Sequence, residues 1–266
     1  MNMNKIVTFY TIVILSISLI HGETHVKAET IYDQNMMSVL WYQTSGEAKA
    51  LYYQGYNIGK MRLDEFLNQK KKGKKPAVIL DIDETILDNS PFFARAILSK
   101  SGNFDDFYKW FNEANAKALP GAIDFLNYAD SRGVDIYYIT NRHNAQKEAT
   151  IRNLQLVGAP QANIAHVLVK QPGEIGKETR RQQVAQTHEI VLLFGDNLGD
   201  FQGFGHLTPA DRVKAVDLHK DEFGNKLIIF PNPMYGDWEN AIYHYNLNRS
   251  NEENMNLRKK ALQPPK

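Results

Sequence analysis

Four acidic residues crowd the stretch VILDIDETILDNS, residues 78–90: Asp81, Asp83, Glu84 and Asp88. Carboxylates this close repel one another, and each one buried is costly unless a positive charge sits among them. The apolar run just before them reads as the end of a buried strand, so the chain delivers its charges to a strand end. Asp81 and Asp83 are two residues apart, and strand alternation sends both to one side, within reach of one ligand. A hard divalent ion such as Mg²⁺ takes oxygen ligands and bridges to phosphate, and it would relieve the repulsion.

Other groups recur at comparable places. Thr140, Asn141 and Arg142 follow the apolar run Val134–Ile139, and Asp196 and Asp200 lie in GDNLGDF after Ile190–Phe194. Lys170 and Lys177 stand between the third and fourth apolar runs. Carboxylates, a hydroxyl and an ammonium gathered in one crevice are the inventory of phosphoryl transfer, in which positioned charge meets the phosphoryl oxygens. Each piece alone is weak. A bare D-x-D arises by chance, G-D-N is a turn signal first, and a single Thr140 or Lys177 reads as a loop or surface residue. The weight comes from all of them falling at strand ends.

The elements that must position these residues follow from the hydrophobic pattern. Five short apolar segments, Ala77–Ile82, Val134–Ile139, His166–Val169, Ile190–Phe194 and Lys226–Phe230, read as strands. Between them PGAIDFLNYADSRG, NAQKEATIRNLQLVG and GKETRRQQVAQTH read as amphipathic helices. Continuous apolar strands alternating with helices predict an α/β fold, a parallel sheet covered on both faces. Right-handed crossovers then bring the C-terminal strand ends to one edge, where such folds bind ligands. Residues from about 35 to 70 predict an N-terminal helical segment, with Gly46, Gly55 and Gly59 marking breaks or close packing. The aromatic-rich segment from about 91 to 119 interrupts the alternation and predicts a small, partly helical cap, with a packing helix pair as the simpler reading. A polar tail runs from about 246 to 266.

With 266 residues the chain can build one substantial core, here residues 29–266. Residues 1–28 have an early Lys5, an apolar run from Ile6 to Ile20 and small residues near Ala28, the layout of a cleaved secretory signal peptide, with an uncleaved N-terminal anchor as the rival reading. The chain contains no cysteine, so disulfides, thiol chemistry and attachment of lipid through a cysteine are excluded. The expected location is therefore secreted or in the cell envelope, with no membrane span after signal cleavage. The formal charge of +1 argues against a polyanion-binding surface, so no polymeric nucleic acid is expected as a partner. KKKGKK at 70–75 suits the negative end of a helix rather than such a patch. The histidines show no H-x-x-H or H-E-x-x-H spacing, which argues against a zinc site.

ILDIDETILDNSPF, the TNR after a strand, the lysine before a strand and LLFGDNLGDF together resemble the four motifs of the haloacid dehalogenase (HAD)-like hydrolases. More narrowly, the chain is similar to the bacterial class C nonspecific acid phosphatases, a likeness that extends to VLWYQTSGEAKALYYQGYN, ALPGAIDFLNYA, KETRRQ and PNPMYGDWE. The resemblance implies a Rossmann-like HAD core with a small helical cap. It implies Asp81 as nucleophile, forming an aspartyl-phosphate, and Asp83 as the acid that protonates the leaving group and later activates water. It implies Thr140, with Asn141 beside it, and Lys177 as holders of the phosphoryl oxygens. Mg²⁺ would be held by Asp81, Asp83 (through its backbone carbonyl), Asp196 and Asp200. Phe92, Trp110 and Tyr235 match substrate-binding aromatic positions, Trp110 and Tyr235 as the pair that sandwiches a nucleoside base. Phe92 stands where many members have tyrosine.

The expected activity is a secreted, Mg²⁺-dependent acid phosphatase acting on small phosphomonoesters, 5′-nucleotides included. The alternative is a surface protein that binds nucleotide or another aromatic ligand in the same pocket with little hydrolysis. A glycosyltransferase using the D-x-D would leave Thr140 and GDNLGD unexplained.

Overall fold

In a computed structural model of the chain, residues 29–69 and 73–265 are described. The expected signal peptide lies outside them. Strand β1 (Lys75–Leu80) is the centre of the sheet: Val78 and Leu80 face one apolar cluster, Ala77 and Ile79 the other, as a period of two requires. After β1 the chain forms β2 (Leu87–Asp88), the insert helices α3 (Ser90–Ser99) and α4 (Phe104–Glu113), and β3 (Lys117–Ala118). β2 and β3 pair antiparallel, tying off the base of the insert. Helix α5 (Ala122–Ser131) leads into β4 (Asp135–His143), and α6 (Lys147–Leu156) into β5 (Val167–Lys170). Helix α7 (Glu178–Thr187) leads into β6 (His188–Gly195), and α8 (Pro209–Leu218) into β7 (Leu227–Ile229).

The five main strands are parallel, in the order β5-β4-β1-β6-β7. From β1 the chain winds outward through β4 and β5, then crosses back to β6 and β7. Strand order therefore reverses between β1 and β6, which is where an open α/β sheet has its crevice. The α/β parallel sheet expected from the sequence is present. The boundaries of all five strands shift: β1 ends at Leu80 and not Ile82, β5 and β6 move by one or two residues, β7 is shorter than Lys226–Phe230, and β4 runs on through Thr140–His143, so the TNR stretch is strand and not loop.

The N-terminal helical run is two helices, α1 (Ile31–Thr44) and α2 (Gly46–Gln69). Thr30 caps α1 through a capping box with Asp33. The break falls at Ser45, which is extended and whose Oγ accepts the Ala48 N–H at 3.0 Å, so one residue ends one helix and starts the next. Gly55 and Gly59 mark close packing, not breaks. A Cβ at Gly55 would lie 2.4 Å from the Phe230 ring, and one at Gly59 would lie 2.6 Å from Phe194. Helix α2 thus lies directly on the aromatic face of the sheet, where Tyr56 packs on Phe125, Phe194 and Phe230. The polar tail contains helix α10 (Asn251–Ala261), which follows α9 (Asp237–Ile242) and is fastened to it by the ion pair of Arg258 with Glu239.

Candidate active site

Asp81 is the first residue beyond β1, and its N–H still follows the sheet, donating to the Phe194 carbonyl of β6 at 2.9 Å. Its carboxylate therefore emerges beside the loop that begins at Gly195. A Cβ at Gly195 would fall 2.3 Å from Asp200 Oδ2, so the glycine leaves the room that Asp200 occupies. Asp200 is fixed further by the Asn197 N–H, which it accepts at 3.0 Å. The result is a group of three carboxylates, Asp81, Asp196 and Asp200, with one oxygen of each within 4.8 Å of the others.

Lys177, at the start of α7, reaches into this group. Its buried ammonium bonds Asp81 and, at 2.6 Å, Asp200. Burial works against that ammonium, but Asp200 and Asp81 outweigh it and hold its pKa above the ordinary lysine value. Burial also pushes the Asp81 carboxyl well above the usual carboxylate range; Lys177 pulls the other way, and Asp200, Asp196 and Asp83 add to the push. Asp196 makes no ion pair among the described residues and feels Lys177 only weakly. It accepts from Asn232 Nδ2 at 2.8 Å, and its pKa rises to about 8 through burial and the neighbouring Asp200. Three hard oxygen donors with one incompletely compensated charge fit a divalent cation, which prefers carboxylate and water oxygens.

Asp83 lies apart from the three. Its carboxylate sits in the fork of Arg142, at 3.1 Å from Nε through each oxygen and 2.7 Å from Nη2. Asn89 Nδ2 donates to it at 2.8 Å and Thr140 Oγ1 at 3.4 Å. Thr140 is fully buried, while Asn141 points out into solvent at the next position of the strand. The structure thus brings Asp81, Asp196, Asp200 and Lys177 into one group and joins Asp83 to Thr140 in a second beside it. Among the described residues the side chain of Asn141 bonds to neither group.

Helix α7 does more than present Lys177. Arg180 Nη1 donates to the carbonyls of Thr140 (2.5 Å) and Leu168 (3.1 Å), and Arg181 Nη1 to that of Asp200 (2.8 Å). One helix therefore holds the ends of β4 and β5 and the Asp200 turn. Sequence reasoning missed Arg142, Arg180 and Arg181 as site residues. Arg142 had a signal, since strand alternation puts it on the same side as Thr140; the two α7 arginines act on backbone carbonyls, which leave no mark in the sequence.

The aromatic positions are held by neighbouring rings and by the loop after β1. Tyr235 stacks on Phe93 at 4.9 Å and lies edge-on to Phe107 at 6.1 Å. Phe92 is buried and stacks on Phe107 at 4.6 Å. Trp110 is buried, and its indole N–H donates to Asn89 Oδ1 at 2.8 Å. No ring pair joins Trp110 to Tyr235 among the described residues. Each is instead anchored to the loop after β1. The Tyr235 hydroxyl donates to Glu84, which also accepts the Asn89 N–H at 2.7 Å. Glu84 takes a left-handed backbone, φ 55°, and is fully buried; burial and the adjacent Asp83 raise its pKa to about 8 against the pull of those hydrogen bonds. A non-glycine residue held in that conformation costs of order 1 kcal/mol or more, which the surrounding bonds must sustain.

A five-stranded parallel sheet whose central strand ends in a buried aspartate, with a lysine and two further aspartates beside it, defines a phosphoryl-transfer type of α/β protein. A family profile described as HAD superfamily, subfamily IIIB (acid phosphatase) matches residues 12–238. The chain belongs to that family of acid phosphatases, which are phosphoric monoester hydrolases. The class C acid phosphatase of Bacillus anthracis is similar in structure, with a TM-score of 0.87 and 53% identity over 89% of this chain and 99% of that one. The same enzyme with tungstate bound gives a TM-score of 0.86 and 54% identity over 88% and 99%. A class B acid phosphatase of Aggregatibacter actinomycetemcomitans is 34% identical over 172 residues, 56% of this chain and 70% of that enzyme. The match to a class B acid phosphatase of Haemophilus parainfluenzae, 35% identical, spans 43% of that enzyme's length. Among the described residues no helix is long and apolar enough to cross a membrane.

Proposed function

We propose that this protein hydrolyses small phosphomonoesters, 5′-nucleotides among them, through an aspartyl-phosphate on Asp81, with Mg²⁺ as its metal, and that it acts outside the cytoplasm after loss of residues 1–28. One observation carries the reading: Asp81 lies with Asp196 and Asp200 in one carboxylate group, and Lys177 bonds both Asp81 and Asp200. Binding alone needs no nucleophile so arranged. The tungstate bound by the Bacillus anthracis enzyme is a tetrahedral oxyanion, a shape that phosphate shares.

In this reading an Asp81 oxygen attacks phosphorus, the bond to the leaving oxygen breaks, and that oxygen takes the proton of Asp83. Asp83 then removes a proton from water as the water oxygen attacks the phosphoryl group, and the electron pair returns to Asp81. Splitting one displacement into two is the advantage of a carboxylate nucleophile. Lys177 and Thr140, with Asn141 at the mouth, orient the phosphoryl oxygens. Asp81, Asp196, Asp200 and the Asp83 backbone carbonyl would hold Mg²⁺, whose charge supports the phosphoryl oxygens as negative charge develops on them. Tyr235, Phe92 and Trp110 belong to the wall met by the leaving group.

The test is phosphate release in mildly acidic buffer from an aryl phosphate and a 5′-mononucleotide, with Mg²⁺ and with a chelator. Mg²⁺-dependent release that vanishes in Asp81→Asn is the expected result. A folded protein that binds nucleotide and releases no phosphate would instead be a ligand-binding member of the fold.

A further inference from the structure

Arg142 is buried, with 1% of its side chain exposed. A guanidinium in such a place needs every face satisfied. Nε and Nη2 engage both oxygens of Asp83, Nη1 donates to Thr150 Oγ1 at 3.1 Å, and the Phe111 ring covers the guanidinium carbon at 3.9 Å from its centroid. Thr150 is in turn tied to the Gln146 carbonyl at 2.8 Å. The fork is therefore held by α6 from one side and by the insert helix α4 from the other.

The consequence concerns direction. Asp83 lies two residues from Asp81, near enough for its charge to act on that carboxyl. Arg142 keeps Asp83 out of the Asp81–Asp196–Asp200 group, with Asn89 holding the same Oδ1 from the insert side at 2.8 Å. We propose that Arg142 is a positioning residue for the reaction: it fixes the direction in which Asp83 exchanges a proton with the leaving oxygen and then with water, and Phe111 and Thr150 fix Arg142. The proposal rests on the reading of Asp83 as the acid and base given above. Arg142 itself touches no reacting atom.

The test uses a series of phosphomonoesters that differ in how much their leaving group needs a proton, from 4-nitrophenyl phosphate to glycerol phosphate. Correctly placed general acids contribute about 10²–10⁴-fold. Asp83→Asn should therefore lower kcat/KM for the alkyl ester far more than for the nitrophenyl ester. Arg142→Gln should change that ratio in the same sense by about 10–100-fold, a part of the acid's own contribution. Adding it to Asp83→Asn should change the ratio no further. Phe111→Leu, which keeps every charge, should show the same trend in smaller measure and stands in if Arg142→Gln does not fold. If Asp83→Asn shifts the ratio while Arg142→Gln and Phe111→Leu lower both esters equally, the positioning role is overturned and the acid reading stands. If Asp83→Asn leaves the ratio unchanged, the acid reading fails and takes the Arg142 proposal with it.

Discussion

The strand-end crevice and the aromatic insert hold their functional side chains by opposite means. In the crevice each charge has a directed partner: Lys177 bonds Asp81 and Asp200, Arg142 grips Asp83, and Asn232 donates to Asp196. In the insert, rings rest on rings, Phe92 on Phe107 and Tyr235 on Phe93, at separations where many small contacts replace a few strong ones. The two regions touch through a few polar links, Trp110 to Asn89 and Tyr235 to Glu84, together with the Phe111 face on Arg142. Directed charge suits a reaction that must be done one way. Ring contacts suit a wall that accommodates leaving groups of several shapes, because stacking tolerates variation that a bidentate ion pair does not. The comparison predicts that crevice substitutions lower turnover for every ester and that insert substitutions act according to the ester used.

The largest effect should come from Asp81→Asn, which keeps shape and removes the nucleophile. Turnover of all esters should fall by about 10⁴-fold or more, the scale seen when a nucleophile is deleted, with the protein still folded. Equal residual rates for aryl and nucleotide esters would keep the crevice on its side of the comparison; a loss confined to one ester would break it. Lys177→Met should follow, lowering turnover by about 10²–10³-fold, the scale of a lost charge-stabilising donor. Removing one partner from a buried ion pair typically costs about 3–5 kcal/mol. The metal-free variant should therefore unfold at a lower temperature, and Mg²⁺ should raise that temperature more than in the wild type. An unchanged melting curve would show that the ammonium is not needed against Asp81 and Asp200.

The two regions also differ in how far the sequence discloses them. The crevice was legible because strands end in polar residues at places the apolar runs mark: Asp81 after Ile79–Leu80, Asp196 after Phe194. The parallel order followed from the alternation of strands and helices. What escaped depends on pairings far apart in the chain. Arg142 meets Asp83 from 59 residues away, and Tyr235 meets Glu84 from 151. Glu84 showed only as one more charge, since nothing local says that it will be buried under a tyrosine. Phe93 and Phe107 were visible as aromatics, but ring contact is set by how α3 and α4 cross, which their spacing does not determine. The extension of β4 escaped for a related reason: Thr140–Arg142 is polar, yet its strand character comes from neighbouring β5 and α7.

On the insert side Tyr235→Ala should raise KM for a 5′-nucleotide by about tenfold, within the 1–3 kcal/mol typical of base stacking, and leave glycerol phosphate nearly unaffected. Tyr235→Phe separates the ring from its anchor. It keeps the stack on Phe93 and loses the bond to Glu84, so a KM close to that of the wild type would locate the effect in the ring. An equal loss on both esters would place Tyr235 functionally with the crevice, against the division drawn above.

The smallest expected effect lies on the link itself, and it concerns stability. Glu84 has an ordinary pKa of 4.5 and a folded-state value raised to about 8 by burial and by Asp83. Between those values the folded protein holds a proton that the unfolded chain releases, so the folded state binds more protons and stability must fall as pH rises. Below the window both states are protonated and the penalty is absent; above it both are ionised and the penalty is complete. Asp196, raised to about 8 by burial and Asp200, contributes a slope of the same sign. In Glu84→Gln, measured without metal, the midpoint should therefore decline less steeply from mildly acid to mildly alkaline buffer, with the Asp196 share remaining. Each kcal/mol of lost linkage should move the midpoint by about 2–4 °C in a chain of this size. The slope, and not the absolute midpoint, is the quantity to read. The amide of that variant presents one carbonyl acceptor to Tyr235 and Asn89, as the protonated carboxyl does, and so the comparison is cleanest below the folded-state value near 8. An unchanged slope would mean that Glu84 stays ionised when folded, held by the Tyr235 hydroxyl and by the backbone and side-chain N–H groups of Asn89. The joint between the regions would then be a charged one, built like the crevice.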